Sequence, residues 1–531
     1  MQKKSAENKS SEKLVSIDGY SLTLDQIEAV ARNHVNAELA SNARIQVQDC
    51  ANTILDIANS EHPVYGVNTG FGIFASQRIA PEETVRLSRN LILSHLVGVG
   101  APFEKDIVRA AILIRANTFA HGNSGVRPQL IDTLLDMLRY DVTPYIPSRG
   151  SLGASGDLAP LAHLASVISA PLEDDQEDYS GQAWFRDQLM SGAEAMAAAN
   201  LARIMLGPKE GLAITNGATF STATLALACI DAERVLRCAE IAAALSLEAL
   251  LGVSGAFDPR LHDARPHPGQ IMVASRIREL TNESDLLDAD DRVHDAYSLR
   301  CIPQILGPVW DILSFVKMVV TTEVNAATDN PLLFDEQAIS GGNFHGEPIG
   351  LAADYLKIAL SKVGSLSERR IFRLTAEHTN AGLPPMLVAH KEKAGILSGL
   401  MMLQYTAASL TLENQALAMP DTLHSIPTSA GQEDINPNAT TAVHHLSELM
   451  DNLWKIVAIE LIVAAQALDL RLLAMPQANS GVGTSAAYKY VRQHLPFREV
   501  DSPYSEDIEA LSEILRAGDL TREVESALGG L

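Results

Sequence analysis

"ATTAVHHLSELMDNLWKIVAIELIVAAQALDLRLLA" occupies residues 439–474. Within it Leu446, Leu449, Met450, Leu453 and Val457 recur at steps of three and four, while Glu448, Asp451 and Lys455 fall on the opposite side. That is the period of a helix with one apolar face. The same Ala- and Leu-rich pattern returns in residues 219–251 (stopped by Gly252), 305–327, 349–374 and 393–419. Several long antiparallel helices predict a mainly α protein with an elongated central bundle. No fixed-period repeat accompanies them, which argues against a solenoid. Composition agrees, because aromatics make up only 5% while Ala and Leu abound, a mixture that suits close-packed helices better than sheets. The apolar part of the quoted segment, from Ile456, contains Glu460 and is too short to cross a bilayer, and no other apolar run reads as long enough.

The N-terminal half is more mixed. Residues 1–13 are polar, without an apolar leader core, and read as a disordered tail. Residues 14–215 read as a smaller mixed lobe, with a strand at "SLTL" and helices over 82–97, 105–120 and 127–139, and residues 216–531 as the helical bundle with C-terminal helices. The acidic run "EDDQED" (173–178) reads as a solvated surface loop. Net charge is −24, which repels phosphate backbones and anionic lipid and so argues against nucleic-acid and membrane partners. Cys50, Cys229, Cys238 and Cys301 are scattered, with no metal-ligand spacing; reduced thiols, no metal site and a cytoplasmic location are expected. "GFGIFA" (70–75) lacks the strand and helix that a dinucleotide fingerprint needs. "GASGD" is not a nucleophile elbow, because Asp157 stands where Gly is required.

The joints between the helices are polar or rich in Gly and Pro, and reactive groups on a helical scaffold collect at such joints. One of them, "GSLGASGDLAPLAH" (150–163), holds Ala154-Ser155-Gly156. By itself the tripeptide is turn material. It can also cyclise: the Gly156 nitrogen attacks the Ala154 carbonyl, whose oxygen leaves as one water, and loss of the Ser155 hydroxyl as a second water leaves a 4-methylidene-imidazol-5-one (MIO), a strong electrophile. Gly offers the least hindered nitrogen, Ser the group to be lost, and Ala little obstruction. The surrounding blocks decide between the two readings. The motif, with "YGVNTGFG" (65–72), "GNSGVRP" (122–128), "PKEGLAITNG" (208–217), "RPHPGQ" (265–270), "DAYSLRCIPQILGP" (295–308), "TDNPL" (328–332), "GGNFHGEP" (341–348) and "SIPTSAGQED" (425–434), closely resembles the aromatic amino acid ammonia-lyase and aminomutase family, in that family's order. The resemblance implies a helical homotetramer whose active sites are shared between subunits. It also implies an MIO formed by the chain itself with no external cofactor, and a small amino acid as substrate.

Residue by residue, the resemblance makes Tyr65 the base that removes the β-proton and Asn216 the partner of the MIO carbonyl oxygen. Phe344 packs beside the MIO, and Tyr297 contacts both MIO and substrate. Arg300 grips the substrate carboxylate as a fork. Ser94-His95 stands at the selectivity position with the pair found in histidine enzymes, and some bacterial tyrosine lyases share it. Glu433 matches the glutamate those enzymes set against the imidazole; beside a phenyl ring the same carboxylate would be buried without a partner. The implied reaction is elimination of ammonia from L-histidine to give trans-urocanate. The alternatives are a tyrosine or phenylalanine ammonia-lyase, or an MIO-dependent 2,3-aminomutase. Two departures bear on that choice: His294 replaces the usual Gln near the MIO, and Ile435-Asn436-Pro437-Asn438 follows the Glu433 block where histidine enzymes differ.

Overall fold

The computed structural model describes residues 14–529, so the expected tail at 1–13 lies outside them. The chain is mostly helical, with only short strands. It forms two compact units. One comprises Met1–Leu227, Lys317–Ala353 and Pro420–His444; the other comprises Ala228–Val316, Asp354–Met419 and His445–Leu531. These are not the two consecutive pieces, divided at 215/216, that a linear reading suggests. Residues 317–353 and 420–444 join the first unit because their polar groups pair there: Asp329 with Lys209, and Thr440 with Asp157.

In the first unit Val15–Ile17 pairs in parallel with Ala37–Leu39. "SLTL", expected as a strand, is instead a helix start: Thr23 and Gln26 form a reciprocal capping box ahead of the helix Leu24–Ala31. The helix Lys105–Ala120 is buried continuously from Val108 onward and forms the centre of the unit. One of its buried polar side chains, Asn117, is matched to backbone groups on both sides: it accepts from Gly19 N at 2.9 Å and donates to Val324 O at 2.8 Å. Helices Pro128–Arg139, with Pro128 in its first turn, and Leu158–Ile168 complete the core. Val142–Pro144, Gln182–Phe185 and Gln188–Ser191 make a small antiparallel sheet. The acidic loop is more than solvated surface: Asp174 pairs with Arg86, Asp178 with Arg203, and Asp175 meets the buried Arg89 at 3.0 Å.

The second unit holds most of the segment quoted first, which is one helix, Ala439–Ala474. Glu460, the residue that interrupts its apolar run, is fully buried and accepts from Arg370 Nη2 at 2.7 Å and from Ser246 Oγ at 2.8 Å, tying three long helices together. The helix expected over 393–419 starts only at Met401, because Gly395 and Gly399 adopt left-handed φ of +98° and +59°. One further correction concerns Ile302–Val324, which is long and apolar enough to cross a membrane by length and composition. Pro308, Asp311 and Lys317 punctuate its sequence, and it buries one face, with Leu306, Val309, Leu313, Val316 and Val320, while Phe315 and Met318 stay exposed.

Candidate active site

The site is built on a loop that the first unit holds from several sides. Gly156 has φ +85°, and a Cβ there would sit 2.1 Å from the Gly217 carbonyl carbon. The two backbones touch: Asp157 N donates to Gly217 O at 2.9 Å, and Gly217 N donates to Ser155 O at 3.2 Å. Asp157, fully buried, is the loop's anchor. Its carboxylate accepts from Ser151 Oγ and Thr440 Oγ1 at 2.8 Å, from Ser221 N at 2.8 Å and from Ser221 Oγ at 3.1 Å. On the other side Gly346 N donates to Gly153 O at 2.9 Å. Among the described residues no hydrogen bond engages the Gly156 nitrogen or the Ala154 carbonyl oxygen. A pinned tripeptide with those two groups uncommitted fits ring closure.

Ala154 and Ser155 open into a cavity of about 680 Å³. It is lined by Tyr65, His95, Asn216, Phe344 and Glu433, together with apolar Phe71, Leu91, Leu158 and Leu212. All of its lining belongs to the first unit. Sequence positions from 65 to 435 therefore meet around the tripeptide, and five expected site residues besides Ala154 and Ser155 share one cavity. Ser155 Oγ donates to Glu433 Oε1 at 2.5 Å, and Thr428 Oγ1 donates to the other oxygen at 2.8 Å. Thr428 and Glu433 also exchange backbone hydrogen bonds, which fixes the carboxylate's base. Tyr65 meets the other wall: its hydroxyl oxygen accepts from Gly72 N at 3.4 Å.

His95 closes the helix Thr84–Ser94. Its Nδ1 lies 2.8 Å from Leu91 O, so that nitrogen carries the proton and Nε2 is left as an acceptor. Burial lowers its pKa, against smaller opposing effects of the Leu91 carbonyl and of Glu433, and so favours the neutral ring. Ser94 does not line the cavity; its Oγ donates to Leu91 O and lies 3.0 Å from His95 Nδ1, so it orients the imidazole.

Asn216 lines the cavity, with its side chain engaged on the far side of the loop. Its Nδ2 donates to Asp329 Oδ1 and to Asn330 O, each at 3.0 Å, so both amide hydrogens are spent away from Ser155. The donor to the Ser155 carbonyl oxygen is Gly217 N. Beneath lie groups that the motif reading missed: Lys209 Nζ pairs with Asp329 at 2.6 Å with both side chains 0% exposed, and Arg115 donates to Asn216 O. Their signal was present, since Lys209 and Asp329 are charges inside the blocks "PKEGLAITNG" and "TDNPL". Tyr297, Arg300 and His294 belong to the second unit. Tyr297 and Arg300 share one helical turn with the guanidinium 4.8 Å from the ring centre; Tyr297 is 69% exposed, and His294 is exposed too. Among the described residues no cluster of His, Cys, Asp and Glu has the makings of a metal site.

A helical scaffold that pins Ala-Ser-Gly at the mouth of a cavity beside a tyrosine and a glutamate defines a class. The chain belongs to the aromatic amino acid lyase family, whose model matches residues 22–493. It is 42% identical over 518 residues to a Treponema denticola protein named histidine ammonia-lyase, covering 97% of this chain and 99% of that one. Among solved structures, tyrosine aminomutase from Streptomyces globisporus superposes with a TM-score of 0.90 at 33% identity, over 96% of this chain and 98% of that one. Histidine ammonia-lyase from Trypanosoma cruzi superposes with a TM-score of 0.87 at 33% identity, over 97% and 95%.

Proposed function

We propose that the protein is a histidine ammonia-lyase, converting L-histidine to trans-urocanate and ammonia with an MIO formed from Ala154-Ser155-Gly156. The observation that carries the substrate is the pair Glu433 and His95 on one cavity with Ser155. A carboxylate fixed by Thr428 and a neutral imidazole whose free nitrogen accepts suit a ring with N–H donors better than a phenyl ring. Histidine ammonia-lyases at 40–43% identity over nearly the whole chain support the same reading.

The cyclised tripeptide supplies an electrophilic carbon that makes the amine or the ring a labile partner. The chain's own residues do the rest. Tyr65 takes the β-proton; a phenol is a weak base, so its placement near the reacting carbon matters most. Glu433 and His95 orient the substrate ring, while Phe71, Leu91, Leu158, Leu212 and Phe344 exclude water. Arg300 holds the carboxylate as a bidentate fork, with Tyr297 and His294 beside the amine. The working assembly is a cytoplasmic homotetramer in which Tyr297, Arg300 and His294 reach the site of another copy; the exposure of Tyr297 in the isolated chain supports this. A tyrosine or phenylalanine aminomutase is the second reading, favoured by the fold neighbours and by the exposed Ile435 at the cavity.

Absorbance assays on purified protein separate these readings. L-histidine should yield urocanate, while phenylalanine and tyrosine should yield little cinnamate, coumarate or β-amino acid. No urocanate from histidine overturns the substrate. Intact mass should fall below that of the linear chain by two waters. Ser155→Ala should remove this loss and lower turnover at least about 1000-fold with the fold retained, because the covalent route is gone.

A further inference from the structure

The last carbonyls of the helix Thr219–Ala249 lack partners within the helix and form its negative end. Two arginines from distant segments take them. Arg471 Nε donates to Ala249 O at 3.0 Å, and Arg292 Nη2 donates to both Leu250 O and Leu251 O. Arg292 reaches them from the segment 288–296, which runs straight into the helical turn of Tyr297 and Arg300. That segment is fastened at two more points. Asp288 N donates to Gly252 O at 2.9 Å, while the Asp288 carboxylate accepts from Ser254 N at 2.9 Å and from Ser254 Oγ. The Asp295 side chain, 0% exposed, accepts from Val253 N at 2.7 Å and stands 3.3 Å from Arg292 Nη1. Asp290 lies 3.2 Å from Nε of the same guanidinium. All of these contacts lie within the second unit.

Between the fastenings the remaining side chains face outward. Val293 is 91% exposed, and His294 and Tyr297 are exposed too. Capping the helix needs only Arg292. A strap that turns Asp288, Arg292 and Asp295 inward onto backbone groups, yet leaves a valine and a tyrosine outside, holds a face in place for something beyond the chain. A guanidinium fork matches a carboxylate in one plane only, and its long stem is flexible, so a fixed backbone beneath it removes much of the cost of aiming it.

We propose that Arg292 and Asp295 are positioning residues, which fix the segment 288–296 on the end of the helix Thr219–Ala249 so that Arg300 meets the substrate carboxylate in another copy's site at a preset place. The proposal rests on the role given to Arg300 under the proposed function. Neither residue touches the substrate. Arg292 ties the strap to the helix carbonyls, and Asp295, two positions before Tyr297, ties it to Val253 while neutralising Arg292. Loss of either tie leaves the tripeptide loop of the first unit as it is and loosens only the turn that delivers the fork.

Two inhibitors of urocanate formation from L-histidine test this: imidazole-4-propionate, which carries a carboxylate, and 4-methylimidazole, which does not. Wild type should form urocanate; its absence overturns the substrate reading, and this proposal with it. Arg300→Met should weaken only the carboxylate-bearing inhibitor; any other pattern overturns the role of Arg300. Arg292→Met and Asp295→Ala should keep the loss of two waters in intact mass. Both should raise KM for histidine and the inhibition constant of imidazole-4-propionate at least about tenfold, as misplacing a bidentate clamp does, with 4-methylimidazole within about twofold. Their kcat should stay within about threefold of wild type, because the lost interaction is one of binding. Asp295→Asn keeps an acceptor for Val253 N and should return to within about threefold of wild type. Unchanged constants for imidazole-4-propionate, or equal weakening of both inhibitors, overturn the proposal. If neither variant folds, hydrogen exchange on the wild-type protein decides. The Val253 and Asp288 amides should exchange as slowly as those at the end of the helix Thr219–Ala249, and exchange at the rate of an open loop overturns the proposal.

Discussion

Gly156 and Gly431 share a φ of +85° yet sit in opposite surroundings. A Cβ on Gly431 meets nothing within 4 Å, while one on Gly156 meets Gly217 C, O and N at 2.1, 2.2 and 2.3 Å. Gly431→Ala therefore costs only the left-handed backbone, roughly 1–2 kcal/mol. Gly156→Ala costs the same and must also push the Gly217 backbone aside. That movement breaks Asp157 N to Gly217 O and Gly217 N to Ser155 O. At about 1 kcal/mol net for each bond, the total reaches roughly 3–4 kcal/mol, concentrated on the loop that must close a ring. Both variants would be purified and compared by intact mass and thermal unfolding. Gly431→Ala should keep the loss of two waters and melt slightly lower. Gly156→Ala should remain at the linear mass with helical content retained. Full loss of two waters in Gly156→Ala would refute the idea that Gly156–Gly217 contact shapes the loop.

Three further outcomes are expected. Arg370→Met, which strands the buried Glu460, should destabilise by about 3–5 kcal/mol, and adding Glu460→Leu should restore most of the thermal midpoint; no recovery in the double variant would count against a purely electrostatic cost. Glu433→Gln keeps the shape but not the charge, so kcat/KM for histidine should fall about tenfold, the difference between charged and neutral hydrogen bonds; an unchanged value would remove Glu433 from ring recognition. His95, His121 and His163 all have pKa values lowered by burial from the ordinary 6.5. Each protonates more readily unfolded than folded, so its contribution is intact above 6.5 and is lost as pH falls through the folded value. The melting temperature should drop on acidification below about pH 6.5, and replacing His121 with Asn should flatten part of that drop.

Helical periodicity located the long helices near 219–251, 305–327, 349–374 and 439–474, the last to the residue, because one apolar face facing a core leaves its spacing in the chain. Boundaries failed where local backbone chemistry outweighed pattern: the Thr23 capping box turned an expected strand into a helix start, and Gly395 and Gly399 delayed Met401–Leu417. The motif blocks named Tyr65, His95, Asn216, Phe344 and Glu433, and these do share a cavity with Ser155.

By itself the sequence determined a mainly helical protein, a cyclisable tripeptide and the residue types around it, since composition, periodicity and motif spacing are properties of the chain alone. Only the tertiary structure decided which way those groups face. The resemblance makes Asn216 the partner of the MIO carbonyl oxygen; in the linear loop its amide hydrogens go to Asp329 and Asn330, and the Gly217 N–H meets the Ser155 oxygen. Lys209 and Asp329, 120 positions apart, become a pair only when folding removes water from both, with Asn216 Nδ2 also donating to the carboxylate. Hydrogen-bond direction and desolvation arise from contacts between distant segments, so no local pattern carries them.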